Sequence, residues 1–297
     1  MSASDETTGV AGLGRMGSAM ALRLLECDMD VMVWNRSRAA TEPLRAAGAK
    51  VADTPRHLAA SCGRIVTMLR DDAAAEAVYG GIDGLFGPHA KDCLFLEMST
   101  LRPATVRELH QQARNCGATM LDAPVSGTVA PARQGQLVAL VGGASEDLDR
   151  AKPILDRLAR RIIHAGPAGQ GALLKLVVNL PLAVYWHALG EALALGEAGG
   201  LDRSLMIDTI ADSAAALAVL ELKKPILLGK SSEVAFDLAS MRKDLLMIVE
   251  TAVGLGTNKS AASAALQAYG AAIEAGLGAE DVVAVACPHS TKRIPPQ

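Results

Sequence analysis

A lysine and an asparagine stand four residues apart inside the most apolar stretch of the chain, residues 173–195. On a helix, Lys175 and Asn179 share one face, and an unpaired amine in apolar surroundings is costly. Desolvation lowers the pKa of a buried lysine, which then exchanges its proton near neutral pH. The spacing therefore suits general acid–base chemistry at Lys175. A lysine that extends its amine to solvent beside a polar neighbour has the same spacing.

Three glycines near the start of the chain have the spacing of a dinucleotide-binding turn. They follow a short apolar run and precede an amphipathic helical pattern. In such a turn the first glycine bends the chain, the second lets a pyrophosphate approach the backbone, and the third lets helix and strand pack closely. The free N–H groups of the helix then face the phosphates. Three glycines can also form an ordinary loop, but this context predicts a dinucleotide bound by Gly12, Leu13, Gly14, Arg15, Met16 and Gly17.

The residues after the second apolar run indicate which dinucleotide is bound. An NAD site usually has an acidic residue about 20 positions past the glycines, where it accepts from a ribose hydroxyl. Here the segment is Asn35-Arg36-Ser37-Arg38, without an acid. A carboxylate repels a 2′-phosphate, whereas a guanidinium binds it through charge-assisted hydrogen bonds. Asn35, Arg36 and Ser37 therefore favour NADP(H) over NAD(H), unless Arg36 and Arg38 are only solvated charges at a helix start.

Short β-rich runs alternate with amphipathic helical segments through the first half of the chain. This alternation predicts right-handed β-α-β units and a parallel sheet. Ser145 is predicted to cap a further helix whose first turn is acidic. The predicted strands are 9–11, 31–34, 64–68, 93–97, 119–121 and 137–141, and the predicted helices include 16–27, 40–48 and 103–116.

The composition changes near residues 166–171, beyond which Ala- and Leu-rich helical stretches replace the strand pattern. A length of 297 residues suits two domains. We therefore predict an α/β protein, with an N-terminal Rossmann-type doubly wound sheet over residues 1–166 and an all-α domain over residues 167–297. Pro181 lies inside the long helix predicted there. It should remove a backbone hydrogen bond and bend that helix.

Composition and charge argue against several function classes. Aromatic residues make up 3% of the chain and the formal net charge is −3, so binding to nucleic acid is not expected. Five scattered cysteines form no C-x-x-C pair, which predicts reduced thiols in a cytoplasmic protein and no metal site. The start of the chain has no signal-peptide pattern. Charged and polar residues interrupt the most apolar stretch, so no membrane span is expected.

Five short segments, together with the glycine turn, resemble the β-hydroxyacid dehydrogenase family. That family includes 3-hydroxyisobutyrate dehydrogenases and glyoxylate/succinic semialdehyde reductases, and the resemblance extends over residues 8–285. Many members have a second glycine where this chain has Thr128. With threonine at this position, the segment looks more like the glyoxylate/succinic semialdehyde reductase branch. The segments are Met68-Leu69, Ser99-Thr-Leu-Arg-Pro103, Asp122-Ala-Pro-Val-Ser-Gly-Thr128, Gly169-Gln-Gly-Ala-Leu-Leu-Lys-Leu-Val-Val-Asn179 and Phe236-Asp-Leu-Ala-Ser-Met-Arg-Lys-Asp244.

The resemblance implies a role for the central segments. Ser126 and Gly127, with Thr128 beside them, anchor a substrate carboxylate, which clustered hydroxyl and N–H donors suit. A turn rich in small residues is the alternative for this segment. Lys175 is implied to be the catalytic residue and Asn179 its partner.

The last segment carries three further residues. The resemblance places Lys243 near both substrate and cofactor, and it assigns Asp244 to the same cofactor site, where it holds the local geometry. A Lys-Asp pair on a helix is otherwise a solvated surface. Phe236 is either an apolar wall of the substrate site or part of the core.

Two segments in the first half are implied to contact the cofactor. Thr100 is the expected neighbour of the nicotinamide, unless it or Ser99 merely caps the next helix. Met68 and Leu69 end the preceding strand and touch the cofactor in the family. Arg70 replaces a small residue or proline that is often found there, which is a departure from the family pattern.

The implied activity is reduction of a small aldehyde- or keto-acid by NADPH, with a proton from Lys175, and its reversal. The implied partners are a small carboxylate-bearing substrate and a second copy of the chain, joined through the helical domains. Imine reductases share the architecture but generally carry Asp or Tyr in place of Lys175. Phosphogluconate dehydrogenases have a longer helical part than this chain allows. A non-catalytic NADP-binding sensor is the alternative from a different class.

Overall fold

The computed structural model describes residues 4–287, and for residues 4–6 it describes the backbone alone. The first residues, for which no signal peptide is expected, lie partly outside this range. The chain divides into two compact units, one up to Lys175 and the other from Leu176 onward. The predicted boundary after residue 166 falls at the end of a strand and stays a prediction.

Within the described residues, the first unit contains one sheet of nine strands. Their order is β3-β2-β1-β4-β5-β6-β8-β7, and β9 pairs with β8. The pairs from β3 to β6 are all parallel, whereas β8 is antiparallel to β6 and β7. The strands are β1 (Ser4–Ala11), β2 (Val31–Trp34), β3 (Lys50–Val51), β4 (Cys62–Thr67), β5 (Leu94–Glu97), β6 (Thr119–Asp122), β7 (Val125–Ser126), β8 (Leu137–Gly142) and β9 (Ala159–Gly166).

Helices cover both faces of this sheet. They are α1 (Arg15–Glu26), α2 (Glu42–Ala46), α3 (Pro55–Ser61), α4 (Asp72–Gly80), α5 (Pro103–Asn115), α6 (Val129–Gln134) and α7 (Ser145–Leu158). One buried cluster includes Leu24 of α1 and Ile154 of α7, and a second includes Tyr79 of α4 and Leu109 of α5. Helices on both faces of a largely parallel sheet confirm the predicted doubly wound, Rossmann-type fold.

Local capping explains where some of these helices begin. The hydroxyl of Thr54 accepts the backbone N–H of His57 at the start of α3. The prediction for Ser145 was wrong, because Ala144 has extended dihedrals and occupies the cap position of α7. The helix therefore begins at Ser145 itself, and no side chain caps it. The predicted acids, Glu146 and Asp147, do lie in its first turn.

All six predicted strands are present, but β3, β7 and β9 were not predicted. β3 and β7 have two residues each, too few to show a strand period. β9 pairs only with β8 among the described strands, and its exposed Arg160 and Arg161 are typical of an edge.

The second unit is helical, as predicted. The division of the chain falls inside α8 (Gln170–Ala198), which is followed by α9 (Arg203–Ala211), α10 (Leu220–Leu227), α11 (Leu238–Gly254), α12 (Ser260–Glu274) and a 3₁₀ turn at Val282–Ala286. Trp186 and Leu193 of α8 are buried in the core of this unit with Tyr269 of α12. α8 continues through Pro181, and the predicted bend there stays a prediction.

Among the described residues, α8 is the one helix long and apolar enough to cross a membrane by length and composition alone. A core helix of a globular protein passes the same test. In the most apolar 18-residue stretch of α8, 33% of the residues are buried within the protein.

Candidate active site

Four segments predicted to bind the cofactor lie at one edge of the sheet. The parallel strands β1, β2, β4 and β5 run in the same direction, so the loops after them meet at their carboxyl ends. The strand order reverses at β1: β2 and β3 lie on one side of it, and β4 and the later strands lie on the other. Ligands of open α/β sheets bind at such a point. The residues there are Gly12–Gly17 after β1, Asn35–Ser37 after β2, Met68 and Leu69 after β4, and Thr100 after β5.

The three glycines have different surroundings. Gly12 has a φ of +93°, and a Cβ there would lie 2.3 Å from the carbonyl oxygen of Met68. A Cβ on Gly17 would lie 1.9 Å from the carbonyl oxygen of Gly12. Gly14 is exposed, and a Cβ there would meet no atom within 4 Å. Gly12 and Gly17 therefore allow the turn to form, and Gly14 leaves open space above it.

The start of α1 has the properties of a phosphate site. Gly14 occupies its cap position without a capping side chain, and no acidic residue lies in its first turn. The N–H groups of that turn and the positive end of the helix therefore face the space above Gly14. The residues present fit the pyrophosphate of a dinucleotide.

Asn35 connects this turn to the end of β2. Its Oδ1 accepts the backbone N–H of Leu13 at 3.0 Å, and its Nδ2 donates to the carbonyl oxygen of Ser37 at 3.0 Å. Asn35 therefore fixes two predicted cofactor segments relative to each other. Arg36 and Ser37 are exposed beside it, and Arg38 forms a surface ion pair with Asp53.

The loops after β4 and β5 are tied together by Ser99. Its Oγ accepts the backbone N–H of Leu69 at 2.6 Å, while its own N–H donates to Oε1 of Glu97 at 2.8 Å. The alternative that Ser99 or Thr100 is the cap residue of α5 is wrong, because Arg102 occupies that position. Ser99 thus holds the loop that carries Thr100.

Glu97 is a buried carboxyl that the sequence did not single out. It is fully buried at the end of β5, and Thr67 Oγ1 donates to its Oε2 at 2.8 Å. The Tyr79 hydroxyl lies 2.7 Å from that of Thr67. Burial raises the pKa of Glu97, and hydrogen bonds from Ser99, Thr67 and Tyr79 oppose that shift.

The predicted carboxylate anchor lies at the start of a short helix. Ser126 ends β7, which pairs with β8, and it is half-buried. Gly127 is exposed with a φ of +130°, where a Cβ would lie 2.7 Å from Cδ2 of Leu137. Thr128 occupies the cap position of α6 without a capping bond from its side chain. The segment therefore offers a hydroxyl and a glycine backbone at an accessible turn.

The helix that carries Lys175 begins on a buried aspartate. Asp122, at the end of β6, accepts the N–H of Gly169 at 2.9 Å and that of Ala172 at 2.8 Å. Lys175 is half-buried one turn further along α8. Asp122 belongs to a segment that the sequence singled out, but no role was predicted for it. Its signal was an acid directly after an apolar strand.

The residues predicted in the second unit form a separate set. Asn179 is buried and donates from Nδ2 to Oδ2 of Asp244 at 2.7 Å. Nζ of Lys243 lies 2.9 Å from the other oxygen of Asp244. Asp244 is itself 1% exposed, so it connects Asn179 to Lys243, and its predicted contact with cofactor stays a prediction. Phe236 is half-buried and packs against the core of this unit.

Comparison with known proteins accounts for both units. A family model of the NAD-binding domain of 6-phosphogluconate dehydrogenase matches residues 7–166. A second model, of the NAD-binding domain of NADP-dependent 3-hydroxyisobutyrate dehydrogenase, matches residues 169–288. The chain belongs to the β-hydroxyacid dehydrogenase family.

Individual members of the β-hydroxyacid dehydrogenase family match nearly the whole chain. Glyoxylate/succinic semialdehyde reductase 2 of Arabidopsis thaliana is 32% identical over 93% of this chain and 77% of its own length. NAD-dependent L-serine dehydrogenase of Pseudomonas aeruginosa is 34% identical over 91% and 93%. The solved 3-hydroxyisobutyrate dehydrogenase of Mycobacterium tuberculosis with L-serine has a TM-score of 0.85 and 30% identity, covering 95% and 98%.

These matches establish the general activity. The chain is an NAD(P)-dependent hydroxyacid dehydrogenase that acts on a CH–OH group. Its relatives differ in substrate and, in the case of the L-serine dehydrogenase, are NAD-dependent. No group of three potential metal ligands occurs in the part of the chain that the structure describes.

Proposed function

We propose that this dehydrogenase interconverts a small aldehyde- or keto-acid and its hydroxyacid, with Lys175 as the proton donor. One arrangement supports the proposal. The helix that carries Lys175 begins on Asp122, and Asp122 stands four residues before Ser126. The end of β6 therefore connects to the amine that would transfer the proton and to the donors that would bind the carboxylate.

The chemistry follows from what these groups can exchange. A bound nicotinamide supplies the hydride that reaches the carbonyl carbon. Lys175 gives its proton to the oxygen, which becomes the hydroxyl of the product, and the neutral amine then takes a proton from solvent. The Ser126 hydroxyl and the Gly127 N–H hold the substrate carboxylate, which makes the transfer effectively intramolecular. In the oxidation direction, neutral Lys175 removes the hydroxyl proton.

We propose NADP(H) as the preferred cofactor. Arg36 and Ser37 are exposed just after β2, next to the turn that Asn35 holds to Leu13. A guanidinium at this position complements a 2′-phosphate, and residues 35–38 include no carboxylate that would repel it.

The proposed substrate is a small carboxylic acid of the kind named for the relatives, namely glyoxylate, succinic semialdehyde, 3-hydroxyisobutyrate or L-serine. All of these carry a carboxylate that hydroxyl and N–H donors can bind. Thr128, in place of the glycine of many members, favours the glyoxylate/succinic semialdehyde branch.

A substrate panel with variants of one residue tests the mechanism. NADPH and NADH are supplied side by side with glyoxylate, succinic semialdehyde and other small oxo-acids, and oxidation is followed by absorbance. Lys175→Ala should lower kcat by about 10²–10⁴-fold, the usual contribution of a general acid, and leave the Kd for NADPH unchanged. Lys152→Ala, on an exposed ion pair with Asp149 in α7, is the matched control.

Three outcomes would contradict the proposal in different ways. Equal turnover by Lys175→Ala would eliminate this lysine as the proton donor. Oxidation of NADPH with cyclic imines but with no oxo-acid would favour an imine reductase. Cofactor binding without turnover on any substrate would favour a sensor.

We further propose a homodimer formed through the helical unit. Several apolar side chains of this unit are exposed in the single chain, and a second copy would cover them.

Light scattering after gel filtration should give twice the chain mass. Leu195→Glu should dissociate the dimer, whereas Ile82→Glu, at an exposed position of the first unit, should not. A monomer, or partition into membranes, would contradict the proposal. The exposed side chains include Val177, Leu195, Leu201, Leu205, Leu222, Val253 and Leu255.

A further inference from the structure

We infer that Asp122 is a positioning residue, which fixes the proton donor Lys175 relative to the carboxylate anchor at Ser126. The inference rests on the proposed function of those two residues. It adds a third residue, which acts through the backbone of α8 and need not touch substrate or cofactor.

Asp122 makes three contacts although it is fully buried. Its Oδ1 accepts the N–H of Gly169 at 2.9 Å and lies 3.2 Å from Nε2 of His110, which is also buried. Its Oδ2 accepts the N–H of Ala172 at 2.8 Å. Both oxygens are thus used, and two of the N–H groups that a helix start leaves without partners are satisfied by a strand rather than by a neighbouring residue.

Close packing leaves little room for α8 to shift at this point. A Cβ on Gly171 would lie 2.3 Å from the carbonyl oxygen of Leu140 and 2.7 Å from that of Asp122. A Cβ on Gly142 would lie 2.6 Å from Oδ1 of Asp122. Glycine at both positions lets the helix backbone approach the strands directly. The position of α8 is therefore set by direct backbone contact with β6 and β8 and by the Asp122 carboxylate.

The same strand end also determines where the anchor lies. After Asp122 the chain is held by two backbone bonds, from Ala123 N–H to the carbonyl of Glu97 at 2.7 Å and from Leu140 N–H to the carbonyl of Pro124 at 2.9 Å. Ser126 follows directly. Lys175 lies one turn beyond Ala172, which Asp122 binds, and Ser126 lies four residues beyond Asp122 itself. The proton donor and the carboxylate anchor are therefore both a few residues from a position that Asp122 fixes. A misplacement of about 1 Å can lower a rate about 10²-fold.

Asp122→Asn is the decisive variant because it keeps the shape and removes one acceptor. An amide has one oxygen, so either the Gly169 or the Ala172 N–H must then face an NH₂ group. We expect kcat to fall about 10–100-fold, with the Kd for NADPH unchanged. The primary isotope effect on kcat with 4-deuterated NADPH should rise, because transfer between misaligned groups becomes slower than the other steps. A smaller folded fraction would alter neither the isotope effect nor KM.

Two control variants separate this role from helix capping in general and from the histidine. Asp202 caps α9 by accepting the N–H of Leu205 at 2.9 Å, and Asp202→Asn should keep the wild-type kcat and isotope effect. His110→Gln leaves both bonds to α8 in place and should stay within about threefold of the wild-type kcat, well below the loss from misalignment. All rates are expressed per NADPH-binding site, so that unfolded protein is not counted.

The outcomes distinguish the inference from the proposed function. A wild-type kcat and isotope effect in Asp122→Asn, beside an inactive Lys175→Ala, would overturn the inference alone. Activity in Lys175→Ala would overturn the proposed function whatever Asp122→Asn does. If Asp122→Asn binds no NADPH, Gly142→Ala replaces it, since its Cβ displaces the same carboxylate without changing charge. Unchanged kinetics in that variant would also overturn the inference.

Discussion

The glycine turn and the start of α8 are both tight junctions between a strand and a helix that depend on glycines, but the second also depends on a buried carboxylate. In the turn, backbone segments pack so closely that a Cβ would not fit. A Cβ on Gly12, for example, would lie 2.3 Å from the carbonyl oxygen of Met68. At the start of α8, the carboxylate of Asp122 binds amides 47 and 50 residues further along the chain. Both junctions are therefore sensitive to side-chain size, and the second is sensitive also to the loss of a polar partner.

The largest effect is expected from adding a methyl group to the turn. Gly12→Ala places a Cβ 2.3 Å from a carbonyl oxygen at a φ of +93°. Left-handed strain and overpacking together should cost about 2–5 kcal/mol of stability and abolish measurable NADPH binding. Chemical unfolding and fluorescence titration measure the two quantities.

Gly14→Ala is the matched variant that sharpens this result. Its Cβ meets no atom within 4 Å, so the free energy of unfolding should change by less than about 1 kcal/mol. NADPH affinity should nevertheless fall, because the methyl group occupies the space that a pyrophosphate needs. If Gly12→Ala were as stable as Gly14→Ala, size would not control this junction.

The contrast extends along α8 to Asn179. Asn179→Ala removes the donor to Oδ2 of Asp244, which is buried and keeps only its pairing with Lys243 on the other oxygen. A buried acceptor left without its donor should cost about 1–3 kcal/mol in unfolding free energy. Asn115→Ala, at an exposed asparagine that accepts from the exposed side chain of Gln111, should change it by less than about 0.5 kcal/mol. Equal stabilities for the two variants would show that α8 does not depend on buried polar partners.

This difference also explains how much the sequence could predict. The glycine turn was predicted residue by residue, since its requirement is local and only glycine meets it. Asp122 stood in a recognised segment, but its partners at Gly169 and Ala172 are distant in the chain, and no local pattern indicates them. Glu97 was missed for the same reason, because its donors come from three different elements.

The fold shows the same limit. The six strands that were predicted have four or more residues each, whereas the two-residue strands β3 and β7 exist only through pairing with neighbours. Ser145 failed as a predicted cap because the dihedrals of Ala144, one residue earlier, decide where α7 begins. Serine alone does not reveal which of two adjacent residues is extended.

A smaller effect is expected from removing the charge of Arg36, which lies beside the glycine turn. Arg36 is exposed, so Arg36→Ala should leave stability unchanged. It should weaken NADPH binding about tenfold, or about 1.4 kcal/mol, and leave NADH binding unchanged. Arg15 is expected to act at the pyrophosphate, so Arg15→Ala should weaken both cofactors equally. Equal losses for NADPH and NADH in Arg36→Ala would contradict the proposed preference.

The smallest effect concerns Glu97, a buried carboxyl that accepts no N–H group at a helix start in the described bonds, and it separates burial from positioning. Burial raises the pKa of Glu97 above its ordinary value of 4.5, so the folded state holds the proton to a higher pH than the unfolded state. Stability contributed by this group is therefore present below about pH 4.5 and lost as the pH rises through the folded pKa. Glu97→Gln should be more stable relative to wild type at pH 8 than at pH 4.

The glutamine fits because its oxygen can accept the Ser99 N–H while its NH₂ group donates to Thr67 Oγ1. Asp30 provides the control of opposite sign, since the hydrogen bond that it accepts from Lys50 lowers its pKa and its contribution is lost as the pH falls. Asp30→Asn should therefore lose stability relative to wild type at pH 8 and little at pH 2. Thermal midpoints at these pH values measure both differences. A constant difference between Glu97→Gln and wild type would mean that Glu97 stays ionised, and that its hydrogen bonds outweigh its burial.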